Sequence, residues 1–280
     1  MPELAEVETI VRALVSGGRG GDSVMGCTIK EAFLYWERSL ATPNSAEFAQ
    51  NLAGQKIVSI HRRGKFLVFE LSTTLLIVHL RMSGDLRVEK KWDGAAPALL
   101  PHDRMALVFT NGSAMVFNDP RKFGRVWLTA SAGEVLNGLG PEPFDESLTG
   151  SRFYQMLHER KRQLKPLLMD QHFLAGLGNI YTDESLFQAG LHPLTLSDTI
   201  SLEQAEKLLG SIRSVLEEGI RRNGASIDWA YRGGDFQNNF KVYQRNGKSC
   251  INCGTLIQRT TIGQRGTHFC PHCQPGGSTI

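Results

Sequence analysis

The chain has no apolar run approaching the ~20 residues that a membrane-crossing helix needs. Leu75-Leu76-Ile77-Val78 is among its longest, and it stops at His79. It also lacks a basic leader. The first residues, Met1-Pro2-Glu3-Leu4-Ala5-Glu6-Val7-Glu8, are acidic, so no secretory signal is expected and the protein is read as soluble and intracellular. Net charge is scarce too, +3 over 280 residues, which by itself does not suggest a polyanionic partner. The scarcity is local, however. From Phe236 onward there is no Asp or Glu but there are Lys241, Arg245, Lys248, Arg259 and Arg265, leaving 26 of the 31 basic residues to face all 28 acidic ones before it. A basic C-terminal module can supply phosphate affinity that the global charge hides.

Cysteine is equally uneven. Cys27 stands alone and reads as a packed thiol. The other four form Cys250-x2-Cys253 and Cys270-x2-Cys273, a spacing that matches one structural Zn²⁺ held by four thiolates. Two disulfides would satisfy the count but fit poorly with an intracellular chain. His268 and His272 lie nearby, yet four cysteines already fill a tetrahedral shell.

The length is enough for two or more domains. Val7, Ile10, Val11, Leu14 and Val15 repeat at helical spacing, ended by Gly17-Gly18, and Gly17 to Gly21 reads as a flexible surface loop. The start ahead of that helix admits two readings. Proline and acidic residues suit a first helical turn. Alternatively, removal of Met1 exposes a secondary amine at Pro2. A terminal amine titrates near ~7.7–8.0, so part of it is uncharged and nucleophilic at neutral pH. Its adduct with an aldehyde-like carbon is an iminium, an electron sink, with Glu3 beside it as a proton donor.

From about Thr28 to Thr129 the chain reads mainly as strands: 57–60, 66–71, 75–80, 105–110, 114–117 and 126–128, with Asn111-Gly112 as a tight hairpin. That spacing suggests a sandwich or barrel. Three polar stretches interrupt it, His61-Arg62-Arg63-Gly64-Lys65, His79-Leu80-Arg81-Met82-Ser83-Gly84 and Asn118-Asp119-Pro120-Arg121-Lys122-Phe123-Gly124. Each alone reads as a solvated sheet edge. Together they offer cations to phosphates and Met or Phe wedges to a base stack. Leu139 to Leu148 reads as a linker, after which the pattern turns helical. Gly176-Leu177-Gly178-Asn179 feeds a helix over 180–189, a geometry that presents free N–H groups to an anion or serves as an ordinary turn. Ser201 and Gln204 make a capping box for a helix running to Asn223-Gly224. Residues 225–240, with Trp229, Tyr231, Phe236 and Phe240, read either as a linker or as a mobile loop able to hold a base.

In this order the motifs resemble bacterial formamidopyrimidine-DNA glycosylases, enzymes that remove oxidised purines such as 8-oxoguanine. The likeness runs through the Pro2 start, Arg63-Gly64-Lys65, His79 to Gly84, Asp119 to Gly124, Gly176 to Tyr181 and the four cysteines with Gln264-Arg265. It implies an α+β multi-domain fold. An N-terminal helix and β-sandwich occupy 1–138, a helix–two-turn–helix domain 139–224, a lesion-recognition loop 225–240 and a zinc-finger hairpin 241–280, with DNA in a cleft between the halves. The resemblance makes Pro2 the nucleophile, Glu3 the proton donor, and Lys65 and Arg265 the aids to β- and δ-elimination. Met82, Arg121 and Phe123 would fill the space left by an extruded nucleotide, and His102, Lys161, Lys165 and Asn179 would contact the DNA backbone. It further implies a monomer acting on damaged double-stranded DNA in the bacterial cytoplasm, at the nucleoid and away from membranes. Ala5 and Arg81 depart from the family's usual proline and glycine, and Lys122 replaces a frequent arginine. Two rival readings are an endonuclease VIII-type enzyme for oxidised pyrimidines, against which Leu4 argues, and a non-catalytic DNA-binding protein, against which the joint presence of Pro2, Glu3, Lys65 and Arg265 argues.

Overall fold

A computed structural model describes residues 1–92, 100–226 and 233–276. The chain forms two compact units, Met1–Asn137 with Asn223–Gly234, and Gly138–Arg222 with Asp235–Ile280.

In the first unit the 7/10/11/14 spacing becomes helix α1, Leu4–Ser16. Its buried stripe Leu4, Val7, Ile10, Val11 and Leu14 is at most 6% exposed, and each such side chain contributes about 1.5–3 kcal/mol on burial. Packing rather than helix propensity therefore holds it. The strands and short helices that follow are β1 (Ile29–Leu34), β2 (Leu40–Thr42), α2 (Ser45–Leu52), β3 (Ile57–Arg63), β4 (Phe66–Leu71), β5 (Leu75–His79), β6 (Asp85–Glu89), β7 (Asp103–Phe109), β8 (Ala114–Asn118), β9 (Arg125–Thr129) and α3 (Gly133–Leu136). They make two sheets, ordered β1-β7-β8-β6 and β2-β9-β5-β4-β3. Leu76 and Val78 of the second sheet share one core with Met105, Leu107 and Phe117 of the first and with α1, which is the expected sandwich. The Asn111-Gly112 hairpin joins β7 to β8, with Gly112 at φ +82°.

Gly17 to Gly21 is not a loose loop. Gly18 and Gly21 exchange backbone hydrogen bonds of 2.9 and 3.0 Å, and the Arg19 guanidinium grips both Asp85 oxygens at 2.9 and 2.8 Å. The 223–226 stretch also belongs to this unit, because the Ala225 N–H donates to Glu6 Oε1 at 2.7 Å.

The second unit holds α4 (Gly150–His158), α5 (Leu164–Leu168), α6 (Asn179–Ala189), α7 (Leu202–Arg221) and the hairpin β10 (Gln258–Ile262) and β11 (Arg265–Phe269). Helix α6 is buried on nearly every side, as a central helix must be. It packs on α7 closely enough that a Cβ on Gly219 would sit 2.4 Å from the Tyr181 ring. The predicted linker at 139–148 is packed rather than loose: Gly140 N–H donates to Gln171 O at 2.9 Å, and Arg213 donates to the Pro143 and Leu148 carbonyls. Phe236 and Phe240 are core as well. Phe236 stacks on Tyr181 at 5.2 Å, and Phe240 meets it edge-on at 5.5 Å. Neither is available to hold a base; Trp229 and Tyr231 lie outside the described residues.

Candidate active site

Pro2 is buried and stands just outside α1, not within its first turn. Glu3 is the N-cap at φ −101° and is 2% exposed. The three-residue step from Glu3 to Glu6 closes a capping box, in which Glu6 Oε2 accepts the Glu3 N–H at 2.8 Å. Since Glu6 also holds Ala225, one carboxylate fixes both the start of the chain and the stretch after α7. Glu6 was missed as a site residue, although its spacing from Glu3 carried the signal.

Lys65 lies in the turn between β3 and β4 and is 5% exposed. Arg62, expected among the phosphate-facing cations, fixes that turn instead. It pairs with Glu8 of α1 at 3.2 Å and donates to Gly64 O at 3.1 Å. Nearby His79 is buried, and burial first, then the positive charges of Arg81 and Lys65, push its pKa down to about 3. Its Nδ1 accepts the Arg81 N–H at 2.9 Å, so the neutral ring is the structural form. The folded pKa lies below the ordinary 6.5, so protonation favours the unfolded chain. Stability is then lost as pH falls from about 6.5 toward 3, by roughly 1.4 kcal/mol per unit. We expect His79→Gln to flatten the acid limb of a stability–pH curve from urea unfolding by about that slope; an unchanged limb would contradict the assignment.

The Met82 loop and the Arg121–Phe123 loop are brought together by Asp119, which is fully buried. Its Oδ1 accepts the Ser83 hydroxyl at 2.5 Å and the Arg121 N–H at 3.2 Å, and its Oδ2 accepts the Gly124 N–H at 2.7 Å. Ser83 follows Met82, so one carboxylate ties the Met82 turn to the Arg121–Phe123 turn. Met82 and Phe123 are 37% and 50% exposed, unusual for such side chains, and Arg121 lies 5.2 Å over the Phe123 ring. Gly124 is required by crowding, since a Cβ there would meet Phe117 at 2.3 Å. Arg81 sits at φ +54°, the left-handed conformation that glycine adopts without steric cost. His102 is exposed at φ +79°, and its carbonyl accepts the Asp119 N–H. Asp119→Ala strands two donors, the Ser83 hydroxyl and the Gly124 N–H, while the Arg121 N–H keeps Ser83 Oγ at 3.1 Å, and we expect a loss of roughly 3 kcal/mol in urea unfolding. A loss below about 1 kcal/mol would show that the loops are organised some other way.

In the second unit Lys161 is exposed, as a phosphate contact requires. Lys165 departs from expectation. Its ammonium is fully buried, donating to Asp183 Oδ1 at 2.5 Å and to Asn179 O at 2.9 Å, so it braces α6 rather than reaching a DNA backbone. Asn179 opens α6, and its Nδ2 donates to Gly266 O at 3.0 Å. Arg265 is exposed at the start of β11, after a two-residue turn in which Gly263 and Gln264 have φ of +54° and +63°. Buried Glu184 accepts the N–H groups of Lys241, Val242 and Tyr243, anchoring the chain that leads into the cysteine module.

The four cysteine sulfurs lie within 4.8 Å of one another, with Cys250–Cys273 at 3.8 Å and Cys253–Cys270 at 3.5 Å. A tetrahedral zinc with bonds of ~2.3 Å sets its sulfurs ~3.8 Å apart, whereas a disulfide needs ~2.05 Å. The donor set thus fits one zinc ion with no ligand position left over.

The arrangement matches known proteins along its whole length. Residues 1–126 match the formamidopyrimidine-DNA glycosylase N-terminal domain, 139–230 the H2TH domain of the same enzymes, and 247–276 a zinc finger found in FPG and IleRS. The formamidopyrimidine-DNA glycosylase of Protochlamydia amoebophila is 40% identical over 283 residues, covering 98% of this chain and 99% of its own. This chain belongs to the formamidopyrimidine-DNA glycosylase family. The Chloroflexus aggregans relative is 41% identical over 282 residues, with 98% of each chain covered. A Lactococcus lactis FPG structure with Fapy-dG DNA is matched at TM-score 0.88 and 34% identity, over 98% of this chain and 100% of that one. A Lactococcus lactis Fpg with abasic-site DNA is matched at the same TM-score and 33% identity, with the same coverage. Membership in this family accounts for the sandwich, the H2TH helices and the cysteine module together.

Proposed function

We propose that this protein is a DNA glycosylase of base-excision repair that removes oxidised purines and then cleaves the abasic strand through an iminium on Pro2. The observation that carries the reading is the full-length likeness to formamidopyrimidine-DNA glycosylases combined with a Pro-Glu start held rigidly ahead of α1.

The chemistry follows from the residues. A base can be attacked at C1′ only once its nucleotide leaves the stack, at a cost of a few kcal/mol. Exposed Met82 and Phe123, with Arg121, offset part of that cost by occupying the vacated space. The Pro2 amine attacks C1′ as the base departs with a proton, and ring opening gives the iminium. The cation acidifies C2′; loss of that proton expels the 3′-phosphate, and a second elimination releases the 5′ phosphate. Glu3 donates and accepts protons at the sugar. Lys65 and Arg265 stay charged near neutral pH and suit the phosphates. His102, Lys161 and Asn179 add backbone contacts. Zinc, held by Cys250, Cys253, Cys270 and Cys273, is structural and shapes the module that carries Arg265. On this reading the protein works as a monomer in the cytoplasm.

The test is strand cleavage on two matched duplexes, one carrying 8-oxoguanine opposite cytosine and one an oxidised pyrimidine. Cleavage of the purine duplex at least tenfold faster is expected. Faster cleavage of the pyrimidine duplex would overturn the substrate assignment.

A further inference from the structure

A two-stranded hairpin is marginal on its own in water. The zinc site braces β10–β11 only at its base, since Cys270 follows β11 and Arg265 begins it. Four residues separate them, and the five residue steps from Arg265 to Cys270 span ~17 Å. Metal ligation alone therefore leaves the Arg265 end poorly fixed.

The outer edge of β11 supplies the missing brace. His268 N–H donates to Asp183 Oδ2 at 2.9 Å, and the His268 ring Nδ1 lies 3.2 Å from the same oxygen. Two residues nearer the tip, Gly266 O accepts from Asn179 Nδ2 at 3.0 Å. The periods match. Residues 179 and 183 are four apart on one helix face, about 6 Å, while residues 266 and 268 are two apart on one strand edge, roughly 6.8 Å. The second Asp183 oxygen is held by Lys165 at 2.5 Å, and both side chains are fully buried. The acceptor is thus charge-balanced and cannot swing away.

Resting on the assignment of Arg265 to δ-elimination, we propose that Asp183 is a positioning residue for that step. It sets the height of β11 against α6, and so the placement of Arg265 three residues away, without touching DNA or zinc. The glycosylase and iminium steps at Pro2 do not depend on it.

The test uses full-length zinc-loaded protein. Asp183→Asn removes the charge, whereas Asp183→Glu keeps a carboxylate for Lys165 and lengthens the tether by one methylene. Both are expected to retain one zinc per chain and to trap with borohydride on abasic DNA within about twofold of wild type. Both should lower the ratio of δ to β product by roughly tenfold, because an ångström of misplacement costs a catalytic group at least that order. An unchanged ratio in zinc-loaded, trapping-competent variants would overturn the proposal. An Arg265→Ala control that keeps the δ product would instead remove the assignment on which the proposal rests. Should both Asp183 variants fail to fold, hydrogen exchange on the wild-type protein decides. The His268 amide should exchange as slowly as the amides paired within the hairpin, and exchange at the rate of an exposed edge amide would overturn the proposal.

Discussion

Pro2→Gly, with Met1 confirmed removed, is expected to slow excision and strand cleavage by roughly 10²-fold, equivalent to ~2.7 kcal/mol of barrier. Zinc content and fold should not change, because residue 2 lies in the first unit and the cysteines in the second. The size follows from the chemistry of the amine. Proline gives an iminium that is cationic without further protonation, whereas a glycine imine must gain a proton before it becomes an equal sink. The neighbouring geometry should survive, since the Glu3–Glu6 hydrogen bond and the Glu6–Ala225 tie involve no atom of residue 2. Wild-type turnover in that variant would remove the special role of the secondary amine. A retained Met1 would be a separate failure, visible by intact mass.

The second large effect is expected at the metal. Cys253→Ser replaces one of four thiolates whose sulfurs already stand at tetrahedral separations. Binding of a structural zinc supplies folding free energy on the order of 10 kcal/mol, so a crippled site should release the metal and disorder the chain around it. That chain carries Arg265. We expect zinc below one per chain and affinity for an abasic-site duplex weakened at least tenfold, about 1.4 kcal/mol. Loss of zinc with unchanged affinity would show that the hairpin does not serve DNA binding.

Local patterns were legible in the sequence and long-range pairings were not. Helix α1 was visible because its apolar stripe repeats within one segment, and the zinc site because each CxxC pair is a single turn. The central strands β4 and β5 were visible as apolar runs. Strand β1 escaped because Ile29-Lys30-Glu31-Ala32 is half exposed at a sheet edge, and β2 because it is three residues long. Strand β6 did alternate, at Leu86 and Val88, but charged neighbours masked it. The polar stretches stood out in the sequence, yet their inner division of labour depends on partners far along the chain. Ser83 meets Asp119, Arg62 meets Glu8, and Lys165 meets Asp183. Lys165 was read as a phosphate contact because nothing within its own segment revealed that a buried carboxylate waits on α6. The burial of Phe236 and Phe240 was hidden for a similar reason, since Tyr181 supplies the face on which Phe236 stacks, and Phe240 packs in turn on Phe236.

The central claim is that the chain's second residue becomes covalently joined to damaged DNA. The most direct measurement is borohydride trapping on a duplex with 8-oxoguanine opposite cytosine, followed by peptide mapping of the adduct. A reduced, stable cross-link at Pro2 is expected. An adduct mapped to a lysine, or none at all from protein whose Met1 is confirmed removed, would contradict it.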